Sequence, residues 1–207
     1  MLNKPLFVTG IGTNIGKTIV SAVLVEQLKA DYWKPVQAGD LHHSDSHKIQ
    51  QLIVNMETVV HPERYRLKMA ASPHKAAKAE GIHISPADFS LPDSSRSLLI
   101  EGAGGLFVPL SDSFLMIDLI TQFDAEIVLV ARDYLGCINH TLLSIDALNT
   151  RGLKLKHIIF NGHFDTDTLD VIISHIPLRT TYSELPEFQA INRYTIASAP
   201  IQLISYE

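Results

Sequence analysis

The sequence predicts a single α/β domain spanning residues 1–207, built as a mostly parallel sheet with helices on both faces. Three observations predict it. Apolar runs alternate with helix-like periodic stretches along the chain. Those runs are continuous and lack in-out alternation, as strands buried on both faces require. The first run, Leu6-Phe7-Val8, leads directly into Thr9-Gly10-Ile11-Gly12-Thr13-Asn14-Ile15-Gly16-Lys17-Thr18 and then into a helical stretch. Strand, glycine-rich loop and helix in that order are the context of a phosphate-binding loop, which makes the domain P-loop NTPase-like.

Composition narrows the function. The chain has 207 residues, 46% hydrophobic and 19% charged, and no Pro/Ser/Gly-rich linker divides it, so one core is expected. A net charge of -5 argues against a protein built to hold a polyanion, so no nucleic-acid partner is expected. The single cysteine, Cys137, excludes an intrachain disulfide, and no charged n-region precedes an apolar h-region. No apolar stretch approaches the ~20 residues that span a bilayer. The expected compartment is the cytoplasm, with no membrane partner.

The elements follow in order. Leu6 to Thr9 reads as a buried strand and Thr18 to Leu28 as a helix with an apolar stripe of Ile19, Val20, Val23, Leu24 and Leu28. Tyr32-Trp33 runs into Lys34-Pro35-Val36-Gln37-Ala38-Gly39-Asp40, where proline and glycine end a strand. Ser44 or Asp45 caps a helix over His47 to Val54. From Asn55 to Ser95 periodicity weakens, although Pro73 to Glu80, followed by Gly81, has the signals of a short helix. Ser97 to Ile100 is a buried strand delivering Glu101 into Gly102-Ala103-Gly104-Gly105. Met116 to Phe123 reads as helix, Ile127 to Ala131 as strand, Asn139 to Arg151 as helix, and His157 to Phe160 as a strand ending at Asn161. Asp167 to His175 is the next helix, and the tail holds at least one more short strand and a Pro-rich loop around Glu184-Leu185-Pro186.

In such sheets ligands bind beyond the carboxyl ends of the strands. Gly10, Lys34, Glu101, Arg132 and Asn161 all fall at or just past predicted strand ends, so one rim gathers them. Backbone N–H groups of the loop and the following helix N-terminus form an anion site, with Lys17 for the β/γ-phosphates and Thr18 for Mg²⁺. Glu101 suits a further Mg²⁺ ligand. Asp45 fits either that role or a helix cap, and Asn139 fits a cap. His43 and His47 stand four apart, but no cysteine or third ligand completes a zinc site. Cys137 lacks a recognisable base and reads as a packed thiol. The loop's spacing is irregular: G-x-x-x-x-G-K-S/T would put its first glycine at Ile11, whereas the glycines are Gly10 and Gly12.

Several motifs converge. Thr-Gly-Ile-Gly-Thr-Asn-Ile-Gly-Lys-Thr (9–18), Trp-Lys-Pro-Val-Gln-Ala-Gly (33–39), Ser-Pro-His-Lys-Ala-Ala (72–77), Ile-Glu-Gly-Ala-Gly-Gly-Leu-Phe-Val-Pro-Leu (100–110) and Leu-Gly-Cys-Ile-Asn-His-Thr-Leu-Leu-Ser (135–144) occur in this order. Together they resemble the dethiobiotin synthetase family. The resemblance implies a cytoplasmic homodimer that closes a cyclic urea from 7,8-diaminononanoate, CO₂ or bicarbonate, and MgATP. It implies Lys17, Lys34 and Thr13 as catalytic residues, and Thr18, Asp45 and Glu101 as Mg²⁺ ligands. ATP would be held by Gly12, Thr13, Asn14, Ile15, Gly16, Lys17 and Thr18, with Asn161 and the Glu184-Leu185-Pro186 segment on the adenine side. Substrate would meet Thr13, Lys34, Ala38, Glu101 and Gly104, and across the dimer interface Gly136, Cys137, Ile138 and Asn139. The sequence departs from the family pattern at Asn14, often acidic there, and at Ala38, often a hydroxyl.

Two rival classes share the loop. Partitioning and metal-cluster ATPases place a second lysine five residues before the Gly-Lys lysine, where this chain has Gly12. Glutamine-dependent amidoligases need a glutaminase domain for which the chain has no length.

Overall fold

The computed structural model describes residues 4–201. Strand β1 (Leu6–Gly10) leads through the loop to α1 (Lys17–Leu28). Strands β2 (Asp31–Trp33) and β3 (Val36–Ala38) precede α2 (Asp45–Leu52), and β4 (Val60–His61) and β5 (Tyr65–Leu67) precede α3 (Pro73–Ala79). The long β6 (Leu98–Gly105) is followed by β7 (Pro109–Ser111), β8 (Phe114–Leu115) and α4 (Met116–Gln122). Then come β9 (Glu126–Ala131), α5 (Cys137–Thr150), β10 (Leu155–Asn161), α6 (Thr166–Ser174), β11 (Thr181–Leu185) and α7 (Arg193–Ala197).

The main sheet has the order β11-β10-β9-β1-β6-β2-β4, and every neighbouring pair in it is parallel. Alternate residues of each strand feed two cores. Leu6, Val8, Leu99, Val128, Val130 and Ile159 pack toward α1, while Phe7, Ile100, Ile127, Leu129, Ile158 and Phe160 pack on the opposite face. Both faces are therefore buried, which is why the strands read as unbroken apolar runs. The small sheets pair β3 with β5 in parallel and β7 with β8 antiparallel; they occupy stretches without a periodic signal.

Several expected boundaries move, each for a local reason. Helix α2 begins at Asp45, because Ser44 is the cap and its hydroxyl accepts from the His47 N–H. Asp45 is thereby released from capping. Helix α5 begins at Cys137 and not Asn139: Gly136, at φ +105°, makes the turn into it. Glu101 is not at a strand end, since β6 continues through Gly102 to Gly105. Glu184 and Leu185 are not loop but the last residues of β11, paired with Phe160 and Asn161, and the Leu185 side chain is fully buried. Helix α1 has no simple stripe: Ser21, Ala22 and Val25 are buried along with Val20, Val23 and Leu24, while Ile19 and Leu28 are half-buried. Helices α2 and α7 cover its outer side, and α7 carried no strong signal in the tail.

Candidate active site

The irregular glycine spacing has a steric cause. Ile15 folds under the loop into the core and is almost fully buried, so a Cβ on Gly10 would lie 2.2 Å from Ile15 Cδ1. At the helix entry, Gly16 has φ +89°, and a Cβ there would sit 2.0 Å from Asn161 Nδ2. That amide donates to the Ile15 carbonyl at 2.8 Å, so β10 clamps the loop from behind. Asn14 also holds a positive φ. The curled loop leaves Gly16 as a helix start with no side-chain cap, and its free N–H groups suit an anion.

Around this loop lies a chain of charges. Lys17 Nζ donates to the Gly12 carbonyl at 2.8 Å. Thr18 Oγ1 donates to Glu101 Oε1 at 2.9 Å, and Lys34 Nζ reaches the same oxygen at 3.0 Å. Lys34 Nζ also lies 2.5 Å from Asp45 Oδ2, and Lys48 Nζ lies 3.3 Å from Asp45 Oδ1. The Gln37 side chain, donating to the Gly39 carbonyl, accepts from the Asp45 N–H at 3.2 Å and fixes the start of α2. The Tyr32 hydroxyl donates to Glu101 Oε2 at 3.0 Å.

Burial and pairing set the protonation states. Burial pulls the Lys17 pKa down to about 8; Glu101 opposes the fall and Lys34 adds to it. Burial also works against charged Lys34, but Glu101 and Asp45 outweigh it and hold its pKa above the ordinary lysine range. For Asp45, burial disfavours the charge, yet Lys34 and Lys48 prevail and keep the carboxyl below its usual range. Burial, reinforced by Glu101, pushes the Tyr32 phenol well above its ordinary value.

Lys17, Thr18, Lys34, Gln37, Asp45, Lys48 and Glu101 line a cleft of about 860 Å³, with Tyr32 buried behind Glu101. Of the residues expected from sequence, the structure brings Thr13, Asn14, Gly16, Lys17, Thr18, Lys34, Ala38, Asp45, Glu101 and Gly104 to it. Ile15 is underneath, and Asn161 touches the loop from the rear. Sequence reasoning missed Lys48, Gln37 and the Ala70-Ala71-Ser72-Pro73 wall; Arg132, noted as a rim residue, also lines the cleft. Position +3 from an acidic residue on a helix was the available signal for Lys48, since i,i+3 neighbours share a face. Gly136, Cys137, Ile138 and Asn139 do not line the cleft of their own chain. Cys137 is buried and its thiol donates to Asp133 Oδ1 at 3.3 Å; burial raises its pKa.

The donor set fits a magnesium ion. Asp45 and Glu101 converge on one ammonium, and Thr18 adds a hydroxyl within 2.9 Å of Glu101. No group of three or more His, Cys, Asp or Glu occurs among the described residues, so substrate phosphates and water would complete such a site, as Mg²⁺ usually requires. No helix among the described residues is long and apolar enough to cross a membrane.

Comparison with known proteins agrees with this geometry. A family model described as an AAA domain matches residues 4–195. The ATP-dependent dethiobiotin synthetase BioD of Cytophaga hutchinsonii is 45% identical over 201 residues, covering 97% of each chain. That of Christiangramia forsetii is 51% identical over 159 residues, 77% of this chain and 76% of its own. Among solved structures, a ParA family ATPase from Chlorobium tepidum aligns with a TM-score of 0.52 at 11% identity, over 94% of this chain and 96% of its own, a likeness of fold alone. The partitioning-ATPase alternative is thus not favoured, and the chain belongs to the ATP-dependent dethiobiotin synthetases, a family of ATP-dependent cyclo-ligases.

Proposed function

We propose that the enzyme forms the cyclic urea of dethiobiotin from 7,8-diaminononanoate, CO₂ and MgATP. The observation that carries this reading is the pairing of Lys17, under the phosphate loop, with Lys34, on the facing wall of the same cleft. One substrate amine adds to CO₂ and loses a proton, giving a carbamate. The carbamate oxygen attacks the γ-phosphorus, the bond to ADP breaks, and a carbamic-phosphoric anhydride results. The second amine then attacks the carbamoyl carbon, releasing phosphate and closing the ring. Two anions must meet in the second step, so the demand is for positive charge and in-line positioning.

Lys17 neutralises γ-phosphate oxygens, and Lys34 bridges carbamate and phosphate. Thr13 Oγ1 serves between substrate and phosphates, a reading supported by its nearness to Gly104, where an added Cβ would lie 3.5 Å from it. Ala38 and Gly104 shape the substrate end. Thr18, Asp45 and Glu101 would hold Mg²⁺, which would supply charge neutralisation at the phosphates. Gly12 to Thr18 cradle the triphosphate, while Asn161 and the end of β11, with Glu184 exposed and Pro186 after it, border the adenine. The Leu185 side chain is in the core, so that residue contributes backbone only.

The substrate's tail carboxylate is bound by Gly136, Cys137, Ile138 and Asn139 of a second copy. This is supported by their absence from the chain's own cleft and by the exposed apolar residues next to them in the chain, Leu135, fully exposed, and Leu143, more than half exposed. A homodimer follows from this reading, which also takes the enzyme to be cytoplasmic. The test is phosphate release from MgATP by pure protein. Release that requires both diaminononanoate and bicarbonate is expected; release without the diamine, or none with it, overturns the assignment.

A further inference from the structure

Tyr32 is fully buried in β2, where its partner across the parallel ladder is Leu99. Glu101 lies two residues beyond Leu99 on the same strand, so Tyr32 and Glu101 share a face of the sheet. A tyrosine leaning along the strand spans that offset, and its hydroxyl meets Glu101 Oε2 at 3.0 Å. The other oxygen, Oε1, receives both Thr18 and Lys34. Glu101 is only 1% exposed, so bulk water is not at hand to satisfy Oε2.

The two oxygens therefore have different tasks. A carboxylate free to turn about its last torsion offers either oxygen, or both, to a cation. With Oε2 tied to a rigid, buried phenol, Oε1 alone faces the corner made by Thr18 and Lys34. We infer that Tyr32 is a positioning residue that holds Glu101 as a one-oxygen ligand and thereby sets the site's affinity for the divalent cation that accompanies the nucleotide. Asp45 has no such anchor: its two oxygens face the ammonium groups of Lys34 and Lys48. Glu101 is then the oriented ligand of the pair, and both it and Asp45 exchange the shared Lys34 ammonium for the cation. The inference rests on the proposed metal site at Thr18, Asp45 and Glu101.

The experiment is a titration of Mn²⁺, as a paramagnetic stand-in for Mg²⁺, into the full chain carrying a non-hydrolysable ATP analogue, read by electron paramagnetic resonance. Removing the partner that orients a metal ligand typically weakens binding, so Tyr32→Phe is expected to raise the Mn²⁺ dissociation constant roughly 10-fold or more. Nucleotide affinity measured without metal stays unchanged. In a Glu101→Gln background the same substitution has no further effect on Mn²⁺, because Tyr32 acts through Glu101. Tyr32→Leu serves as a second hydroxyl-free variant if Y32F folds poorly. Mn²⁺ binding by the hydroxyl-free variant within about twofold of the parent, or an equal loss with and without the Glu101 carboxylate, overturns the inference. If E101Q itself binds Mn²⁺ like the parent, the metal-site reading falls first and the role of Tyr32 with it.

Discussion

ATP binding is expected to weaken between pH 7 and pH 9, because on the proposed reading Lys17 meets the phosphates and gives up its proton over that range in the free enzyme. Its side chain is nearly inaccessible, and its ammonium is satisfied by the Gly12 carbonyl. Burial lowers its pKa from 10.5 to about 8. A triphosphate seated on the loop brings phosphate oxygens to that ammonium and raises the pKa again, so binding takes up a proton. With a free-enzyme pKa of about 8 and a fully charged bound form, uptake is about 0.5 proton per ATP at pH 8 and about 0.9 at pH 9. The apparent Kd then rises about twofold at pH 8 and about tenfold at pH 9 over its low-pH value. Phosphate, with a last pKa of about 6, is already ionised and adds nothing in this window. Lys34 stays charged throughout, since its pKa is raised. Isothermal titration at pH 8 in two buffers of different ionisation enthalpy reads the proton number directly. A binding heat independent of buffer, with a Kd flat from pH 7 to 9, refutes the reasoning; Lys17→Met abolishes the uptake.

Other consequences follow from the same geometry. Lys34→Met leaves Asp45 and the buried Glu101 facing each other without the intervening cation; the metal-free protein loses about 3–5 kcal/mol, regains part of it with Mg²⁺, and turns over orders of magnitude more slowly. Thermal melts with and without Mg²⁺ check this, and an unchanged melting temperature contradicts it. His157, fully buried in β10, contacts Thr181 Oγ1 at 2.5 Å and Ser183 Oγ at 2.7 Å, and burial drops its pKa from 6.5 to about 4. Its folded pKa lies below the unfolded one, so the stability of the neutral form is complete above pH 6.5 and is lost as pH falls toward 4. The loss is about 3 kcal/mol. Denaturant melts across that range show it, and His157→Gln flattens the slope. Finally, a Lys17→Ala chain mixed with an Asn139→Ala chain recovers part of the activity through heterodimers with one intact site; failure under demonstrated subunit exchange rules out a shared site.

The fold was legible wherever two-sided burial produced continuous apolar runs: β1, β6, β9 and β10 were found within a few residues. What escaped were elements whose identity depends on distant partners. Strands β3, β4 and β5 are two or three residues each and exist because they pair with one another or with β2. Helix α7, at five residues, is held by α1. At the site, charged residues next to apolar strands stood out, so Lys34 and Glu101 were found. Tyr32 and Gln37 did not, because a buried tyrosine reads as core and a loop glutamine as solvent-facing. Their polar ends matter only once the register of β2 against β6 and the cap at Ser44 bring them to Glu101 and Asp45.

The position that separates this chain from its fold relatives is Gly12, and its glycine is not demanded by space. A Cβ built there meets nothing nearer than the Tyr134 hydroxyl at 3.8 Å, an ordinary contact, and Gly12 is not among the glycines at positive φ. A side chain can therefore begin at the place where partitioning ATPases carry a lysine. A lysine at that place would ride on the loop and serve the nucleotide alone. Here the second cation instead comes from the residue after β2, two strands away from β1 in the sheet, and stands in the cleft wall between Asp45 and Glu101. On the proposed reading it faces the space between nucleotide and second substrate from that wall. On the proposed reaction that is where the demand lies, because the repulsion to be overcome is between carbamate and γ-phosphate, and a charge on the loop would stabilise only one of them.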